Sequence, residues 1–166
     1  MSTLMRTTHA LAMAGLVLAG VAQAQQRTAS GGTYTPIDPI RIGAHAGYNF
    51  DVQQLVLGAQ ATMPITRMFE IYPSFDYYFV DIGSLWALNV DLKIRPPTPQ
   101  GAIYVGGGLN YLHASAGGFS NGDVNLNLLG GFELRRQPLH PYAEARLILG
   151  NGSAFQLVGG VSFNLH

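Results

Sequence analysis

Cysteine is absent from the 166-residue chain, which excludes a disulfide framework and a lipid-modified cysteine behind a leader. Charge is scarce as well. Lysine occurs once, at Lys93, and Asp, Glu, Lys and Arg together make up 11% of the residues, against ~25% in an ordinary soluble domain. The formal net charge is zero, so neither nucleic acid nor an acidic membrane surface is implied as a partner. No long hydrophobic run is present either. The most extended one, Ala10 to Val21, falls short of the roughly 20 residues a spanning helix needs. Hydrophobic residues nevertheless reach 48%, and glycine is plentiful. Such a balance points away from a helical membrane protein and toward an unusual β surface.

The N-terminus reads as a processing segment. Arg6 supplies a positive start, Ala10 to Val21 an apolar stretch, and Ala22-Gln23-Ala24 an A-x-A cleavage site, the pattern of a signal peptide over 1–24. The protein is therefore expected to be exported. QQRTASGGTYTPIDP, residues 25–39, is small, polar and proline-punctuated, a flexible periplasmic lead-in. Residues 40–166 form the remaining domain.

From Ile40 onward, apolar and polar residues alternate in eight segments: Ile40 to Phe50, Leu55 to Met63, Phe69 to Phe79, Trp86 to Arg95, Ile103 to Tyr111, Val124 to Leu134, His140 to Leu149, and Phe155 to Leu165. In the seventh, HPYAEARLIL, Ala143, Ala145, Leu147 and Leu149 alternate with Tyr142, Glu144 and Arg146. A period of 2 assigns the two sets to opposite faces of a strand and is hard to reconcile with a helix. Each segment is near the 9–11 residues a tilted strand uses to cross a bilayer. The reading is all-β: an eight-stranded antiparallel up-and-down transmembrane β-barrel.

A soluble ligand-binding barrel also fits eight alternating strands, with the apolar set turned inward. Three features favour the inverted, membrane arrangement. The polar set is too poor in charge for a water-facing surface. Aromatics fall at strand ends, with Tyr48, Phe50, Tyr77, Phe79, Trp86, Tyr111 and Phe155 toward one rim and Phe69, Phe132 and Phe163 toward the other, as in a double girdle. Finally, an even strand number returns both termini to the periplasmic side, where Pro64 to Arg67, Pro96 to Gln100 and Arg135 to Pro138 are expected to turn.

The stretches AMAGLVLAGVAQAQ, GGGLNYL, LNLLGGFEL and PYAEARLILGNGSAFQLVGGVSFNL resemble the small outer-membrane β-barrel family related to opacity proteins and the transmembrane domain of outer membrane protein A. The resemblance implies residence in the bacterial outer membrane, contact with its lipid, and insertion by the barrel-assembly machinery. That machinery reads a terminal strand ending in an aromatic residue; here the chain ends in His166. A monomer is expected, with no cofactor.

An interior this narrow is filled by side chains. The candidate lumen charges are Arg41, Glu70, Asp76, Asp91, Lys93, Arg95, Glu133, Glu144 and Arg146, with Glu70 expected near Lys93 or Arg95 and Glu144 beside Arg146. Buried charges need partners, so the set reads as a structural plug, with a small-solute channel as the alternative. Gly106, Gly108, Gly131 and Gly160 are expected to make room for Tyr72, Tyr104 and Tyr142. His113-Ala114-Ser115, with Asp123 the nearest acid in sequence, faintly resembles membrane-barrel lipid A deacylases. Such a site needs a base bonded to the serine and an acid orienting the base, and no asparagine follows the serine. No catalytic residue is assigned on this basis. The histidines His45, His113, His140 and His166 are scattered singly, without metal-ligand spacing. Three outward loops are short, and His113 to Asp123 is expected to be a flexible loop without an aromatic anchor. These observations favour a non-catalytic outer-membrane protein with a structural or weak surface-interaction role.

Overall fold

The computed structural model describes residues 38–96, 101–134 and 138–165. They form eight strands, β1 (Arg41–Asn49), β2 (Gln54–Pro64), β3 (Phe69–Tyr78), β4 (Ser84–Ile94), β5 (Gly101–Ala116), β6 (Phe119–Leu134), β7 (Leu139–Leu149) and β8 (Ser153–Asn164). Each pairs with the next, and β1 pairs antiparallel with β8 to close the barrel. Closure pairs the backbone groups that an open sheet edge would expose to hydrocarbon. The expected leader, most of the lead-in, His166 and much of two turns (97–100 and 135–137) lie outside the described residues.

The period-2 pattern becomes inside and outside. Along β3, Glu70, Tyr72, Ser74, Asp76 and Tyr78 are buried, while Phe69, Ile71, Phe75 and Tyr77 are exposed. Large apolar side chains cover the outside of every strand, as with Leu57 at 52% and Ile103 at 65% exposure. The buried set is mostly polar and charged. This inversion of a soluble core is the mark of a transmembrane barrel. One end carries the start of β1 and the end of β8 and is called the terminal end; the other is the far end.

Two features depart from simple expectation. Pro73 sits within β3, although proline lacks the N–H a sheet ladder uses. It faces outward, and β2–β3 pairing lapses around it, between Gln60↔Ser74 and Met63↔Ile71, with the register unchanged on either side. The second departure is the expected flexible loop His113 to Asp123, which is instead the continuation of β5 and β6. Pairing runs unbroken to Ala116↔Phe119. The turn is Gly117-Gly118, with φ of 57° and 87°. Two successive positive φ values give the primed turn whose twist matches a hairpin, and glycine adopts them without steric cost. The expected lack of an aromatic anchor is corrected too. Phe119, at the hairpin tip, is 84% exposed.

Candidate functional site

The interior is a column of polar side chains in three tiers. At the terminal end, Arg41 from β1 and Arg95 just beyond β4 alternate with Glu70 from β3 and Glu133 from β6. Arg41 lies 2.7 Å from Glu70, and Arg95 lies 3.0 Å from Glu70 and 3.2 Å from Glu133. A fourth contact, Arg41 to Glu133 at 3.8 Å, closes the ring. Alternating signs let each buried charge face two of the opposite sign, which offsets part of its desolvation cost.

The middle tier centres on Arg146. Its guanidinium reaches Glu144 at 3.0 Å, Asp91 at 3.2 Å and Asp76 at 3.5 Å. Glu144 also binds Lys93 at 2.9 Å and accepts a hydrogen bond from the Tyr104 hydroxyl at 2.9 Å. The Lys93 ammonium stands 3.1 Å from the ring centroid of Tyr72 and 4.1 Å from that of Tyr104. Aromatic faces attract a desolvated cation, so the only lysine of the chain is held by a carboxylate and two rings.

His45 joins the same tier. Its ring nitrogens lie 2.8 Å from Gln60 Oε1 and 2.7 Å from Asp76 Oδ1, so both ends of the ring are held. Gly58 makes this possible, because a Cβ there would strike His45 Nε2 and Asp76 Oδ1. Gly131 and Gly160 make room for Tyr104 and Tyr142 in the same way. Gly106 and Gly108 do not serve the rings as expected; a Cβ at those positions would meet Leu129 and Asp91.

Above lies an amide tier. Asn110 and Asn127 donate to Asn89 Oδ1 at 2.7 and 2.9 Å, and Asn89 donates to Ser74 and Asp76, both at 3.1 Å. The Tyr78 hydroxyl donates to Gln156 at 3.0 Å. Toward the far end the column is capped by Val56, Tyr78 and Ala87, with Val80, Leu85 and Leu112 packed against them. Beyond the cap a mouth cavity of about 180 Å³ is lined by residues including Asn49, Asp51, Asp123, Asn125 and Asn151.

All nine candidate lumen charges are placed inside, each below 5% exposure, and each belongs to this network. Glu70 meets Arg95 and not Lys93. Sequence reasoning missed His45 as a member, although it shares the inward set of Arg41 on β1. It also missed the asparagine tier, whose signal was the same parity on β4, β5 and β6.

The candidate girdle residues all lie on the outside. At the far end, Tyr48 packs on Phe50, Phe50 on Phe155, Tyr77 on Phe79 and Trp86 on Tyr111, with centroids 5.1 to 5.9 Å apart. Phe75, outside the expected set, joins them at 6.1 Å from Trp86. At the terminal end, Phe69, Phe132 and Phe163 stand opposite Ile94, Ile103 and Leu139.

The His113, Ser115 and Asp123 set is not assembled. The Leu112↔Asp123 pair puts the acid on the inward face, whereas His113 lies on the outward face and stacks on Trp86 at 4.8 Å. Asp123 instead accepts a hydrogen bond from Asn121 at 3.0 Å. Among the described residues, no group of three or more His, Cys, Asp or Glu is arranged to hold a metal ion.

No protein-family model matches the chain, and no curated protein matches it by sequence. Solved structures do share its fold. The N-terminal β-barrel domain of Pseudomonas aeruginosa OprF is similar with a TM-score of 0.69 at 17% identity, covering 79% of this chain and 100% of that one. Neisserial surface protein A gives 0.59 at 13% identity, covering 76% and 96%. The outer membrane enzyme PagL gives 0.55 at 9% identity, covering 75% and 99%. The fold is thus that of small eight-stranded outer-membrane barrels, and at these identities the likeness extends to fold alone. The same fold carries a surface protein and an enzyme, so function has to be argued from the site.

Proposed function

We propose that the chain is an integral outer-membrane protein with a structural or weak surface-interaction role, and that its lumen is a sealed strut and not a conduit. In this reading the leader exports it, the assembly machinery inserts it, lipid surrounds the apolar belt, and the far end faces outward. The observation that carries the reading is the continuous lumen network. Arg41, Glu70, Asp76, Asp91, Lys93, Arg95, Glu133, Glu144 and Arg146 are all buried against one another, and the Val56, Tyr78 and Ala87 cap lies above them. Ions would have to break several buried pairs to pass.

Planar-bilayer recording of the refolded protein tests this. The expected outcome is no discrete conductance step; regular single-channel steps would overturn the sealed lumen in favour of a small-solute channel. Fractionation tests the location. The protein should sediment with outer membranes and migrate differently on gels before and after boiling, whereas recovery from the soluble periplasm would overturn the location. The rim-hydrolase alternative draws no support from the opposed faces of His113 and Asp123. Its direct test is lipid A acylation in cells carrying Ser115→Ala, which should be unchanged.

A further inference from the structure

The two sides of β6 do not end together. Against β5, pairing continues to Phe119; against β7, it stops at Leu126↔Leu149. The segment Phe119–Asn125 therefore has a strand partner on one side only, among the described residues. Alternate backbone N–H and C=O groups along it point to the open side. Open edges are commonly blunted by lysine, proline or a bulge. FSNGDVN has neither residue, and its register against β5 is uninterrupted. Its single charge is the inward-facing Asp123, which repels an acidic strand and not a basic one. The β7–β8 turn beside it is small, and a Cβ at Gly152 would meet nothing within 4 Å.

The surroundings of the edge have a definite chemistry. On its inward face, Asp123 and Asn125 line the mouth cavity of about 180 Å³ together with Asp51 and Asn151. On its outward face, Val124 is 69% exposed, and Tyr111 lies against Gly122. Asp51 and Asp81 in the far-end turns and Asp123 on β6 are gathered toward this end, while the Lys and Arg of the described barrel sit in the lumen or toward the terminal end. That end is therefore acidic with no arginine or lysine to offset it.

We propose that the free edge of β6 at Phe119–Asn125 takes an extended polypeptide segment of a partner protein as an added strand, one that alternates basic with apolar side chains. Strand addition takes affinity from main-chain hydrogen bonds and selectivity from alternate side-chain pockets. Every second side chain of the added strand points into the mouth, toward Asp51 and Asp123, where a lysine or arginine is favoured. The intervening ones lie beside Val124 and Tyr111, where an aliphatic or aromatic group is favoured. The inference deepens the surface-interaction reading and rests on it for which side of the membrane the partner occupies.

The test uses the refolded mature protein in detergent micelles and three peptides. The first alternates lysine and valine over eight residues, the second replaces each lysine by glutamate, and the third is the lysine peptide N-methylated throughout its backbone. The lysine–valine peptide should slow amide exchange within Phe119–Asn125 and bind about tenfold more tightly than the glutamate peptide, as charge complementarity requires. The N-methylated peptide should not bind. The double variant Asp51→Asn, Asp123→Asn should lose most of the preference for lysine while keeping the heat-dependent gel shift of a folded barrel. Equal binding of all three peptides would overturn the proposal. So would protection elsewhere in the barrel, or exchange in Phe119–Asn125 that slows with protein concentration alone, which would mean that a second copy closes the edge. Orientation is read separately by protease accessibility on whole cells, so a failure of binding and a failure of topology give different results.

Discussion

At the scale of single residues, the lumen makes sharp demands because its charges are shared. Arg146 serves three carboxylates, so Arg146→Met leaves Asp76, Asp91 and Glu144 short of a counter-charge at once. Breaking a buried pair by removing one partner costs about 3–5 kcal/mol, and the loss should appear as a lower urea midpoint for unfolding from lipid vesicles. Lys93→Met should be costly for the same reason. Combined with Glu144→Gln, it should cost less than the sum of the two single changes, since each removes the other's reason for harm. Which residues would be inside was legible from parity alone; their partners were not. In backbone register Glu70 stands opposite Lys93, yet its carboxylate reaches Arg41 and Arg95, while Lys93 turns to Glu144 across the lumen. Side chains converging from all round a closed barrel choose partners by geometry that sequence distance does not encode. His45 was missed because an isolated histidine has no spacing signature, and it reaches Asp76 only because the β2 residue between them in register is Gly58.

At the scale of elements, the eight strands were legible because each keeps its period of 2 over a bilayer's thickness. The hairpin of β5 and β6 was not, because beyond Tyr111 the composition turns to Ser, Gly, Ala and Asn, which also describes a loop. What decides it is Gly117-Gly118, the two positive-φ positions that let the strands reverse without a gap. Replacing both glycines by valine should cost about 1–2 kcal/mol per position for the left-handed backbone. Amide exchange should then quicken over His113–Asp123 while β1, β2 and β8 keep their protection. Gly83, with φ of 85°, lies against the Ser115 carbonyl. Gly83→Ala should loosen the β3–β4 loop from the hairpin and leave the belt unchanged, detectable as faster exchange confined to residues 79–84.

At the scale of the whole molecule, an apolar girth surrounds a charged axis, and the two aromatic rims mark where one environment gives way to the other. The chain has a single tryptophan, and Trp86 packs in the far-end rim against Tyr111 and His113. Lipids brominated high on the acyl chain should therefore quench its fluorescence more than lipids brominated near the bilayer centre. Stronger quenching from the centre would place the belt at the wrong height.

The solitary lysine carries a consequence for chemical labelling. Lys93 is 2% exposed and wrapped by Tyr72, Tyr104 and Glu144, so while the barrel is intact no lysine amine is presented to an acylating reagent or to a crosslinker in the medium. A chain that fails to assemble exposes that amine. Acylation at Lys93, read by mass spectrometry, thus counts unassembled molecules directly in a mixed population, with no tag and no added reporter.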